Sequence, residues 1–217
     1  MMKYWLRPVL LLTLLFVLPI YGVRMQPYED RVALALMQEQ CSAPCFMGIR
    51  PGTTNMSAAY YILADHGWVA NQPDEFPSLI RDSALIGAWV PRTVVYWRWD
   101  TTIPEWIDGR REGALTVEDQ DVRDVSIDTR LLLGEILLTF GNPDEWLFAA
   151  TAGPAGRGFE YSAWYAEVGM FVSVRGSCPA RGYYTLPVQI RFRPAVRHTS
   201  GPKADVSLAK RRANACV

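Results

Sequence analysis

The sequence predicts an α+β fold: two helix-on-antiparallel-sheet units in tandem behind an N-terminal transmembrane helix. Three observations predict it. One uncharged apolar run, Pro8 to Val23, lies between Arg7 and Arg24 and does not recur. Beyond it the elements read helix, strands, helix, strands. The two blocks have similar lengths, roughly 75 to 90 residues each, as a duplicated layer unit would.

The apolar run sets the compartment. A membrane crossing takes roughly 20 apolar residues, and Tyr4, Trp5 and Leu6 extend the run towards that length, since aromatic rings suit the headgroup level. Arg7 can turn its guanidinium back to the interface. Lys3 and Arg7 precede the run, which places the N-terminus in the cytoplasm and exports the remainder. A cleaved signal peptide shares this layout, but only Gly22 is small near the exit, so the sequence favours an anchor that stays attached.

The chain has 22 Lys+Arg and 22 Asp+Glu in 217 residues. Outside the membrane, without Lys3, Arg7 and Arg24, 19 basic residues face 22 acidic ones. That slight acidity argues against a nucleic-acid binder, which would show a basic patch or stripe. Cys41, Cys45, Cys178 and Cys216 all follow the anchor. In an oxidising exterior four cysteines allow three pairings, and Cys216, in a polar tail, has no assigned partner. Zinc does not fit, because C-x3-C is not a ribbon spacing and only His66 and His198 could add nitrogen ligands.

Tyr28 to Gln40 reads as a stalk helix, with Pro27 before it and Glu29 and Asp30 in its first turn. Cys41 to Pro51 is turn-rich. A second helix follows, with Thr53 or Thr54 as its N-cap. Met56, Ala59, Tyr60 and Leu63 fall on one buried face, and Gly67 provides a left-handed stop. Ala70 to Pro77 is a polar loop.

Thr93 to Asp100 is a strand rich in β-branched and aromatic residues. Its alternation sends Val95, Trp97 and Trp99 one way and Val94, Tyr96 and Arg98 the other. Gly113 to Ile127 reads as a hairpin around Glu118-Asp119-Gln120-Asp121. Leu131 to Phe140 reads as a helix closed by Gly141-Asn142-Pro143-Asp144. Trp146–Ala149, Phe159–Ala166, Met170–Val174 and Val188–Arg193 read as strands. In the last, Val188, Ile190 and Phe192 share one face. Residues 199–217 read as a disordered polar tail. The domains are therefore 1–24 (anchor), 25–40 (stalk), 41–128 and 129–198 (the two units) and 199–217 (tail).

The stretch CSAPCFMGIRPGTTNMSAAYYILADHGWV, Cys41 to Val69, resembles a C-x-x-P-C-aromatic-x-G-I-x-P-G-x-T lead-in to a helix. It is found in uncharacterised exported or membrane-anchored bacterial proteins. TRLLLGEILLTFGNPDEW resembles their second signature, a helix closed by L-G-x-P-D. More distantly, the order of elements is similar to the BamE/SmpA lipoproteins and to the β-lactamase-inhibitor-protein fold. Phe46 stands where that group usually carries Trp. The resemblance implies the tandem fold, a non-catalytic character and a local disulfide between Cys41 and Cys45. It implies no cofactor.

Chemistry-bearing motifs are sparse. The carboxylates Glu118, Asp119, Asp121 and Asp124 lack the glycine and later Glu of a calcium loop, and Arg123 interrupts them. They read as a solvated turn. His66 has no accompanying nucleophile motif. Gly153 to Gly158 sits between strands, not before a helix, so it reads as a hairpin loop and not a phosphate cradle. The aromatics Trp97, Trp99, Tyr161 and Trp164 are either core or a binding face, since exposed Trp and Tyr are enriched at interfaces. The expectation is a membrane-anchored, extracytoplasmic, non-enzymatic binding or envelope-assembly module without cofactor. Its partner would be a protein, a peptide or a wall component. The alternatives are a hydrolase using His66 with a nearby carboxylate, and a structural spacer.

Overall fold

The computed structural model describes residues 13, 15–18, 31–37, 41, 43–70, 80–84, 92–153, 156–194 and 216. They belong to two compact units, Met1–Arg31 and Val32–Val217. In the first, Thr13 and residues 15–18 are helical, and Leu15, Phe16, Val17 and Leu18 expose their side chains. Among the described residues no helix is long and apolar enough to cross a membrane. The transmembrane helix expected over Tyr4–Val23 lies largely outside the described residues.

The second unit is built on one antiparallel sheet. Its strands are β1 (Ile80–Ala84), β2 (Arg92–Trp97), β3 (Gly113–Glu118), β4 (Asp121–Leu132), β5 (Glu145–Gly153), β6 (Gly156–Tyr165), β7 (Met170–Ser177) and β8 (Pro187–Phe192). They lie in the order β1-β2-β3-β4-β8-β7-β6-β5. The helices are α1 (Arg31–Leu36), α2 (Met56–Asp65) and α3 (Leu133–Phe140), with a 3-10 turn at Tyr183–Thr185.

This overturns the expected tandem of helix-on-sheet units. The pairing of β4 with β8, Val125 opposite Phe192 and Ile127 opposite Ile190, joins all strands into one sheet. All four of those side chains are buried. Two separate units would expose both strand edges, whereas pairing satisfies their backbone groups. The helices are also too small for the role expected of them. Ten and eight residues give lengths of about 15 and 12 Å, against a sheet about 34 Å wide at the usual strand spacing. Among the buried residues α2 supplies only Ala59 and Leu63, and α3 only Leu133 and Ile136.

Loops cover much of what the helices leave open. Residues Cys41 to Asn55 form a plug on the apolar side of the sheet. Phe46 and Ile49 bridge each other across Met47 and Gly48, both at positive φ. The Phe46 ring, 2% exposed, stacks on Phe192 at 5.4 Å and meets Trp99 and Trp106 edge-on. Gly52 donates to Val122 O, and Val122 donates to Thr54 O, which ties the plug to β4. A side chain at Gly52 would press on Pro194. The expected disulfide Cys41–Cys45 closes the plug, and a second one joins Cys178 to Cys216.

Several local expectations move by a residue or two. The N-cap of α2 is Asn55, whose Oδ1 accepts from Ala58 N. Thr54 is not the cap because its hydroxyl accepts from Arg50 N inside the plug. Residue Gly67 is not left-handed. The helix ends at Asp65, and His66 leaves it in extended conformation with its N–H on Leu63 O. The stalk helix is not a stalk, since Val32 and Leu36 of α1 belong to the hydrophobic core. Leu131 and Leu132 end β4 before α3 begins, and Glu135 Oε2 accepts from Leu132 N at that start. The remainder of 199–217 lies outside the described residues, apart from Cys216.

Candidate functional site

The two faces of the sheet differ in chemistry, and strand register assigns every residue to one of them. On the inner face Val95, Leu115, Val125, Phe192, Met170 and Tyr165 follow one another across neighbouring strands. All six are buried. The opposite face carries the row Tyr96, Ala114, Ser126, Arg191, Phe171, Trp164 and Glu145, likewise opposed strand by strand. Glu145 is exposed and the other six are half-buried. A parallel row runs Asp128, Gln189, Ser173, Ser162 and Leu147, in which Ser173 is buried and Leu147, at its end, is 53% exposed. This open face is the candidate site.

Its polar groups interlock. Arg191 donates from Nη2 to Gln189 Oε1 at 3.2 Å. Arg175 meets Glu160 at 3.2 Å across β7 and β6. The Arg193 guanidinium lies over the Phe171 ring, 5.4 Å from its centroid. Asp128, between Gln189 and the loop that carries Arg111 and Asp108, has its pKa raised, chiefly because burial penalises the charge. Arg111 and the Gln189 hydrogen bond pull the other way. The face thus mixes aromatic surface with charges of both signs held in cross-strand contacts, a composition suited to recognition.

The predicted binding-face aromatics divide between the two sides. Trp97, Trp99 and Tyr161 are 1%, 9% and 6% exposed and lie in the core. The binding-face expectation does not hold for these three. Trp97 and Trp99 pack edge-to-face at 5.4 Å, and Tyr161 stacks with Trp146 at 6.2 Å. Only Trp164 lies on the open face. Strand alternation carries the reason: Tyr161 and Trp164 differ by an odd number of positions on one strand and cannot share a face. The same parity puts Tyr96 and Phe171 on the open side, where composition alone did not single them out.

His66 is held by local contacts. Its Nδ1 accepts from Trp68 N at 3.2 Å, and its ring meets the Trp68 ring edge-on at 4.9 Å. Burial lowers its pKa. In the β3–β4 turn, Glu118 pairs with Arg123 at 3.4 Å, and Asp124 accepts from the Thr116 hydroxyl. Among the described residues no group of three or more His, Cys, Asp and Glu could hold a metal ion. A cavity of about 150 Å³ lies under the plug, lined by Leu36, Cys41, Cys45, Phe140, Met170 and Phe192 among others. Its lining is mostly apolar.

On the inner side of the second half, an aromatic cluster missed by the sequence reading joins Phe148, Phe159, Tyr161 and Tyr183. The Tyr183 hydroxyl donates to the Tyr184 hydroxyl at 2.6 Å. Burial pushes the Tyr161 phenol up to about 12 and those of Tyr165 and Tyr183 higher still. Phe148 and Phe159 were legible as strand residues, but Tyr183 sits in a 3-10 turn with no periodic signal. No family model matches the chain, and no curated protein or solved structure matches it.

Proposed function

We propose that this is an exported, non-catalytic binding or envelope-assembly module, with the open sheet face as its contact surface. One observation carries the reading. Across seven strands, from β2 to β5, a row of half-buried and exposed side chains sets Tyr96, Phe171 and Trp164 beside Ser126, Arg191 and Glu145. Aromatic and arginine side chains of this kind supply most of the binding energy at protein interfaces. Both disulfides support placement in an oxidising compartment outside the cytoplasm. The partner in this reading is a protein, a peptide or a wall component.

Site-specific photo-crosslinkers at Tyr96 and Phe171, introduced in the producing cell, test the proposal. The expected result is a discrete adduct from both positions and none from Tyr61, which is 70% exposed on α2. Equal labelling from Tyr61, or no adduct from the open face, would sink it.

A further inference from the structure

The two disulfides sit in different surroundings. In Cys41–Cys45 the sulfurs are unequal: Cys41 is half-buried, whereas Cys45 is 4% exposed. The exposed side chain of Arg50 donates from Nε to Cys41 Sγ at 3.5 Å. A disulfide bond is about 2 Å long, so the same guanidinium lies within about 6 Å of Cys45 Sγ. At that range an opposite charge favours the charged form of a group. Both cysteines line the cavity of about 150 Å³ under the plug. Its mostly apolar wall strengthens the attraction, and its space lets the two sulfurs separate. The loop they close is short, with sequence separation 4, so closing it gains little chain entropy. The surroundings of Cys178–Cys216 act the other way. Cys216 is 8% exposed, and Cys178 Sγ and Cys216 Sγ lie 3.4 and 3.8 Å from Gly158 O. A carbonyl oxygen disfavours the negative charge that a leaving sulfur must carry.

From these surroundings we infer that Cys41 is a thiol-exchange site, and that it takes small thiols bearing a negative charge, such as a thiol carboxylate or sulfonate. The step is a displacement. The incoming thiolate attacks Cys41 Sγ, the more accessible sulfur, along the axis of the disulfide. A bond forms between those two sulfurs and the Cys41–Cys45 bond breaks. Cys45 leaves with the electron pair as a thiolate, which then takes a proton from water. The incoming sulfur is oxidised and Cys45 is reduced, so the exchange needs no further oxidant. Arg50 acts twice. It draws the anion to the disulfide, and it offsets the charge that moves on to Cys45. The chain is left with one mixed disulfide, at Cys41, and a free Cys45 in the cavity wall. This modification is stoichiometric and does not depend on the contact face proposed above.

The test exposes the full oxidised chain to mercaptoethanesulfonate, an anion, or to cysteamine, a cation, at equal thiolate concentration. Timed samples are quenched in acid, alkylated and mapped by peptide mass. The expected result is the sulfonate adduct on Cys41, the alkyl group on Cys45 and an intact Cys178–Cys216. Arg50→Gln should lower the ratio of the two opening rates, sulfonate over cysteamine, by roughly fivefold, the weight of one pair of unit charges about 4 Å apart in water. Arg50→Lys keeps the charge and should keep the ratio. A first adduct on Cys45 or Cys178, no adduct at all, or equal opening of both disulfides would overturn the inference. So would a ratio unmoved in Arg50→Gln, or one lost equally in Arg50→Lys.

Discussion

Single residues show where packing is tightest. Trp97 is buried against Gly113, its cross-strand partner on β3. A Cβ at Gly113 would fall 2.2 Å from the indole. Gly113→Ala should therefore destabilise by about 1–3 kcal/mol through overpacking. Combining it with Trp97→Leu should cost less than the sum of the two single changes, measured as urea midpoints, because the indole carries the clash. His66 gives a pH signature. Burial lowers its pKa below the ordinary 6.5, and protonation at Nδ1 would also remove the acceptor for Trp68 N. The folded chain then binds fewer protons than the unfolded chain between those two pKa values. Its contribution is fully present above pH 6.5 and is lost as pH falls through the folded value. A His66→Gln variant should show a flatter dependence of urea midpoint on pH across that window, and an unchanged slope would refute the assignment.

At the scale of elements, the turn between β3 and β4 stands out. Asp119 and Gln120 both take positive φ, 53° and 69°, as a two-residue turn of primed type requires for strand twist. Neither is glycine, so the turn forms at a conformational cost. Its geometry persists because Gln120 O also accepts from Met56 N at the start of α2. Gln120→Gly should stabilise by roughly 0.5–1 kcal/mol in chemical denaturation, with the backbone bond to Met56 kept. The stop signal after α3 works the other way. Gly141 takes φ 73°, and Asp144 then uses its carboxylate on Ala166 N at 2.7 Å. Gly141 to Asp144 thus staple the end of α3 to the β6–β7 turn.

For the whole molecule, the two disulfides act at different ranges. Cys41–Cys45 closes a loop of sequence separation 4, whereas Cys178–Cys216 spans 38. Loop-closure entropy makes the longer one worth about 3–4 kcal/mol. Cys178→Ser with Cys216→Ser should lower stability by that order, and Cys41→Ser with Cys45→Ser should lower it less. Equal losses in a thermal melt would contradict the chain-entropy account. Much of the inner face was legible from alternation: Val95, Trp97 and Trp99, and Val188, Ile190 and Phe192, were grouped correctly and are all buried. The candidate site was half legible. Trp164 was named, but it was grouped with Tyr161, whose side chain points to the core. Which parity faces the core depends on the neighbouring strand, and β6 reads as aromatic on both sides.

The sequence alone determined the local elements. It marked the hairpin at Glu118–Asp121, a helix over 131–140 that proves to start at Leu133, its stop, a buried side of α2 of which Ala59 and Leu63 are buried, and the Cys41–Cys45 link that its resemblance implied. These depend on residues within a few positions of one another, where propensity and periodicity act. Tertiary structure decided the rest. Only long-range pairing could join β4 to β8 and turn two expected units into one sheet. Only that sheet fixes which parity is inside, which aromatics remain available, and which strand, β5, ends the sheet among the described residues. Strand partners lie far apart in the chain, and their choice follows from burying edges and apolar faces together, a condition that no local window of sequence contains.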